Sequence, residues 1–117
     1  MSDLPNAAYK VLTAAQMAAL EHDGVFAGAP IDLADGYIHL STAEQVTETV
    51  DKHFAGQTHL HVAAVDLAVL CQAVKWEPSR GGQLFPHLYA ALPLNAVFAY
   101  GPLERDADGV VRLPVAG

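Results

Sequence analysis

Cysteine is nearly missing: Cys71 is the only one in 117 residues. No internal disulfide can therefore staple the chain, which suits a reducing cytoplasm. Positive charge is scarce as well, with six Lys and Arg against thirteen Asp and Glu and a formal net charge of −7. A surface of that sign does not hold nucleic acid or anionic lipid, so any anion site has to be local. No apolar run approaches membrane-spanning length, and Met1 to Asn6 has neither the basic region nor the apolar stretch of a signal peptide. Walker, dinucleotide-binding and Gly-x-Ser-x-Gly motifs are absent, as are a His-Glu-x-x-His helix and any cysteine pair. A soluble cytoplasmic protein is expected.

What is present is apolar mass: 52% of the residues are hydrophobic, enough for a core without metal or disulfides. One domain is expected, with a core over about 8–114 and tails at 1–7 and 115–117. The alternating periods predict an α+β fold, a single compact domain with a mixed, mainly antiparallel sheet and two main helices. Ala8 to Leu12 reads as a strand, and Thr13 caps a helix through Met17, Leu20 and Glu21 that stops near Gly24. Residues 25–34 match no regular element. Asp35-Gly36 is a turn, and Tyr37 to Leu40 a strand with Tyr37, His39 and Ser41 on one face. Ser41 with Glu44, or Thr42 with Gln45, can close a capping box for a helix whose buried stripe is Val46, Val50 and Phe54. His59 to Asp66 reads as a central strand belonging to the same main sheet as Tyr37 to Leu40. Leu67 to Cys71 forms a helical turn, and strands follow through Val74 and Trp76 and from Leu94 to Leu103. Arg105 to Gly109 turns a hairpin into Val110 to Leu113.

Two segments concentrate chemistry. The first is the strand-to-helix junction, where Tyr37 and His39 project away from Ile38 and Leu40 just before a helix N-terminus. Ser41 and Thr42 stand at that terminus, whose free amides favour a phosphate or carboxylate. The second runs from Trp76 to Tyr89, where Pro78 and Gly81-Gly82 argue against a long regular element. Within it Glu77 can act as a general base or hold a ribose hydroxyl, Arg80 can clamp an anion, His87 can transfer a proton and Tyr89 can stack on a flat ring. Each also has an ordinary structural use: Trp76 and Phe85 as core anchors, Glu77 with Arg80 as a surface pair, His87 as a hydrogen-bond donor to backbone.

Six histidines invite a metal reading, since His59 and His61 would share a strand face with His39 or His87 as a third ligand. The spacings supply no closed ligand set, and no metal is expected. Cys71 sits among Val69, Leu70, Ala73 and Val74, which implies burial and an inert thiol.

The ordered set of an N-terminal Tyr-Lys-Val-Leu strand, Asp35 to Val46, Trp76-Glu77-Pro78-Ser79 and Phe85-Pro86-His87-Leu88-Tyr89 resembles the bacterial family called domain of unknown function 952. The resemblance spans about Tyr9 to Leu113. That family is similar, more distantly, to the ADP-ribosyltransferase-like fold, which includes RNA 2′-phosphotransferases. The resemblance implies that His39 is the early-strand histidine that holds a ribose and that Tyr89 stacks on nicotinamide, with an NAD-like dinucleotide as ligand or substrate and no resident cofactor. It also implies a late-strand Glu or several Arg residues, yet Glu77 precedes Tyr89, Glu104 lies in a Pro102-Leu103-Glu104 context, and Arg80 stands alone. Two functions follow. One is a small or degenerate enzyme of ADP-ribosyl or phosphotransferase type, with a cleft for a nucleotide-like or other anionic small molecule lined by Tyr37, His39, Glu77, Arg80, His87 and Tyr89. The other is a noncatalytic interaction or ligand-binding module, for which a flat surface with Trp76 and Phe85 exposed would speak.

Overall fold

The computed structural model describes residues 5–114. Strand β1 (Ala7–Thr13) runs antiparallel to β4 (Leu60–Asp66), and β4 in turn to β8 (Val97–Pro102), giving the sheet order β1-β4-β8. As its two-faced apolar pattern requires, β4 is central. Leu60 and Val62 point to one face of the sheet, and Ala63 and Val65 to the other.

Each face has its own core. On one, α1 (Ala14–Asp23) buries Met17 and Leu20 against Ala8, Leu12 and Val65. Thr13 starts this helix with a full capping box, accepting from the Gln16 amide at 3.1 Å while its own amide donates to Gln16 Oε1 at 2.9 Å. Gly24 ends it at φ +75, a left-handed conformation that glycine adopts without strain. On the other face, α3 (Val46–His53) lays Val46 and Val50 on Val11, Leu60 and Val62, with Phe54, partly buried, at its C-cap. Burying each of these aliphatic side chains is worth about 1.5–3 kcal/mol.

A second sheet, of order β3-β6-β5, carries the chemistry: β3 (Ile38–His39), β6 (Leu84–Leu88) and β5 (Val74–Pro78) are antiparallel throughout. It meets the first sheet through one bridge, in which Tyr9 and Ser41 exchange backbone hydrogen bonds of 2.7 and 2.9 Å. Ile38 and Leu40 thereby enter the first core. A third, two-stranded sheet pairs β2 (Val25–Phe26) with β7 (Leu92–Pro93).

The sheet system thus differs from the sequence expectation: among the described residues all pairings are antiparallel, and β3 does not share a sheet with β4. Only two residues of β3 pair with β6, too few to build a continuous sheet across the Tyr9 to Ser41 bridge. Residues 25–34 are not irregular but hold β2 and the start of α2 (Pro30–Asp35). The 76–89 segment is a β5–β6 hairpin closed by a 3-10 turn, Arg80–Gly82, with Gly81 and Gly82 at positive φ. The strand expected from Leu94 begins later, at Val97, after a 3-10 turn, and Val110 to Leu113 forms one bridge, Arg105 to Val111, rather than a strand. Cys71 is exposed, not buried. It follows the one-turn helix α4 (Leu67–Leu70), which turns Leu67 inward, and its φ of +50 reverses the chain into β5.

Candidate functional site

Asp32, on α2, is the hinge of the site. It is only 2% exposed. One carboxylate oxygen accepts from the Ala29 amide at 2.7 Å and from Lys10 Nζ at 3.0 Å; the other accepts from the His39 amide at 3.1 Å and from His39 Nδ1 at 2.6 Å. Burial by itself would push this carboxyl up. The His39 bond, the Lys10 charge and the two amides outweigh it and hold the group at about 2. Lys10 is lowered, because burial opposes its ammonium more than Asp32 favours it. Of the two partners Asp32 is the group firmly fixed in its charged form, since it collects the Lys10 ammonium, a His39 ring nitrogen and two amides.

The His39 ring has a second carboxylate partner: Nε2 meets Asp35 Oδ2 at 3.0 Å. Both contacts are hydrogen bonds together only when the ring carries a proton on each nitrogen. Across the β3–β6 pairing, His39 registers directly against His87. The two rings lie edge to face, with centroids 5.7 Å apart.

His87 is buried and has its own carboxylate, with Nδ1 donating to Glu77 Oε1 at 2.8 Å. The Tyr89 hydroxyl donates to the same oxygen at 2.6 Å. These bonds, from Tyr89 first and then His87, lower the Glu77 carboxyl, while Tyr89 itself is pushed up to about 12 by Glu77. Tyr37 stacks on His87 at 4.0 Å and 21° and lies 4.6 Å from His39, so one phenol packs against both imidazoles. Burial raises Tyr37, with the charges of Asp35 and Glu77 adding to it.

His39, His87, Tyr37, Ser41, Lys10 and Asp35 border one cleft of about 660 Å³. That volume lies within the range of small-molecule sites. Its remaining wall is largely apolar, including Leu40, Phe54 and Phe85. Phe85 is buried and Trp76 half-buried against the core, so neither presents a flat docking face.

Of the residues singled out in the sequence, Tyr37, His39, Glu77, His87 and Tyr89 form one contiguous cluster, although Tyr89 borders a smaller cavity of about 270 Å³ beyond Tyr37 rather than the main cleft. Ser41 lines the cleft but commits its hydroxyl to Thr49 at 2.8 Å. Thr42 does not contribute: its amide donates to Gln45 Oε1 and its carbonyl accepts from Gln45 and Val46. The helix expected there starts only at Val46, and these bonds take up the amides of Thr42, Gln45 and Val46. Arg80 belongs to the 3-10 turn of the hairpin, and its side chain lies outside what is described.

Sequence reasoning missed Lys10, Asp32 and Asp35. One signal was available: Lys10 alternates with Ala8 and Leu12 on an apolar strand face, where a lysine needs a buried partner. His59 precedes β4 and is exposed. Among the described residues no group of three or more His, Cys, Asp or Glu is placed to hold a metal ion.

A family model described as "Protein of unknown function (DUF952)" matches residues 11–100. The X-ray crystal structure of protein CC0527 from Caulobacter crescentus is similar to the chain at 47% identity and a TM-score of 0.83, covering 92% of this chain and 94% of that one. The solution NMR structure of the same protein is similar at 46% identity and a TM-score of 0.78, covering 93% and 94%. Among the curated proteins none matches.

Proposed function

The chain belongs to the DUF952 family, and from its own site we propose that it is a small acid–base enzyme acting on a nucleotide-like or other anionic molecule bound in the cleft. One observation carries this reading. His39 and His87 stand side by side across two strands, each held at Nδ1 by a separate carboxylate. A carboxylate at Nδ1 fixes the ring and makes Nε2, which on His39 meets Asp35, the nitrogen that exchanges a proton with substrate.

The two histidines are unequal in a useful way. His39, between Asp32 and Asp35, takes the part of proton donor; His87, with Glu77 at Nδ1 and Tyr37 stacked on its ring, takes that of acceptor. In transfer of a phosphoryl group, His87 would take the proton of the attacking hydroxyl while His39 gives one to the leaving oxygen. Such a pair contributes about 10²–10⁴-fold per group.

This geometry favours phosphoryl transfer or phosphoester cleavage over ADP-ribosyl transfer. The latter needs a carboxylate free to stabilise a ribosyl cation, and Glu77 is already engaged by His87 and Tyr89. An NAD-like dinucleotide stays in the ligand set as a source of ribose and phosphate.

The experiment is a thermal-shift screen against nucleotides, NAD, nucleoside 2′-phosphates and aryl phosphates, followed by turnover assays on each binder. Turnover of a phosphate ester that falls in both His39→Gln and His87→Gln supports the reading. Binding with no turnover of any binder rejects it in favour of a noncatalytic ligand-binding module.

A further inference from the structure

Asp35 is an oddly placed carboxylate. It is the last residue of α2, where the helix carbonyls favour a cation, and its side chain is 45% exposed on the cleft rim. Among the described residues its one side-chain partner is His39 Nε2, at 3.0 Å. His39 does not need it for orientation. Asp32 already holds the ring at Nδ1 and the backbone amide of the same residue.

We propose that the Nε2 side of His39 is a subsite for an anionic oxygen of the ligand, a phosphate or carboxylate, and that Asp35 holds this place until the ligand displaces it. The inference rests on the cleft being a ligand site and adds which atom meets the ligand's charge. An exchange of one carboxylate for one anion keeps the charge next to the imidazole unchanged. It therefore avoids adding an anion beside Asp35, Asp32 and Glu77 in a protein of net charge −7.

The surroundings define the rest of the ligand. Leu40, Phe54 and Phe85 present apolar surface in the same cleft. The fitting class is a compact anion on a flat or apolar body, with an aryl phosphate the simplest case.

Phenyl phosphate and inorganic phosphate are titrated into wild-type protein, Asp35→Asn and Asp35→Ala at neutral pH, with the His39 and His87 ring signals followed by NMR. Since Asp35 is exposed at a helix end, both variants are expected to fold, which their thermal melts check. The expected result is that both anions move the His39 ring signals, phenyl phosphate binds more tightly than inorganic phosphate, and both Asp35 variants tighten each anion about tenfold. Unchanged or weaker binding in both variants, with His39 still responding, overturns the displacement while leaving the acid–base reading intact. A response of His87 alone overturns the assignment to His39. No response of either ring in any variant overturns this subsite and the ligand cleft together.

Discussion

His39 and His87 are registered partners of one antiparallel strand pair, yet their carboxylates come from opposite directions, Asp32 from α2 and Glu77 from the neighbouring strand β5. Neither pair shares an acceptor with the other. Substitution at one histidine therefore leaves the other oriented, and the two can be tested separately.

For a substrate identified by the binding screen, His39→Gln and His87→Gln should each lower kcat/KM by about 10²–10⁴-fold. The double variant should lose little beyond the worse single one, because residues that act as a unit are not additive. A pH–rate profile with two limbs in wild type, reduced to one limb in each single variant, is the expected companion result. Two independent, multiplicative losses would show that the histidines do not act as a pair.

Asp32→Asn should destabilise the protein by about 3–5 kcal/mol at neutral pH, because it leaves the Lys10 ammonium buried without its counter-charge. The wild type should show the matching pH dependence. Asp32 has its folded pKa depressed to about 2 from 3.8, so its contribution is present above about pH 4 and is lost as pH falls towards 2. From that shift the contribution is about 2 kcal/mol. Urea melts from neutral to acid pH test this, and a variant whose acid limb matches wild type would contradict it.

Tyr89 should ionise late. Its phenol is pushed up to about 12, chiefly by the hydrogen bond to Glu77. A group raised on folding gives stability below its ordinary value of 10, and that contribution disappears as pH climbs towards 12. Ultraviolet titration of tyrosinate should therefore show a late component that Glu77→Ala moves back towards 10. An unshifted curve in the variant would mean that the short Tyr89 to Glu77 contact is not what holds the proton.

Cys71→Gly should raise stability by about 1 kcal/mol. Cys71 sits at φ +50 and ψ −122, a conformation that costs side-chain-bearing residues energy and that glycine adopts freely. Its thiol makes only a surface bond to the Ala68 carbonyl, so little is lost with it. Chemical denaturation of the two proteins decides the sign.

The legible parts of the fold were those in which one local rule and the tertiary packing agree. Thr13 and Gly24 bracket α1 as caps, Val46, Val50 and Phe54 pack α3, and β4 is apolar on both faces and central. Helix α2 was illegible because its pattern is inverted: Ile31 and Leu33 are 55% and 65% exposed while Asp32 is buried. β6 was hidden by Pro86, which lacks an amide and yet lies in the middle strand of its sheet. Its carbonyl accepts from Leu40 beyond the end of β3, so the absent donor falls where that pairing already stops. The pairing of His39 with Glu77 and His87 in one cluster was readable as a coincidence of residue types. Its second carboxylate was not, since nothing in residues 25–34 follows a helical period.

The inversion of α2 has a mechanical meaning. The only side chain this helix buries is charged, so it is fastened by ionic hydrogen bonds where other helices are fastened by oil. Ala29, Pro30, Ile31 and Asp35 form part of the cleft wall and travel with it. Asp32 is thus a latch as well as an orienting group: one carboxylate both fastens this wall of the cleft to Lys10 of β1 and sets the bearing of the His39 ring.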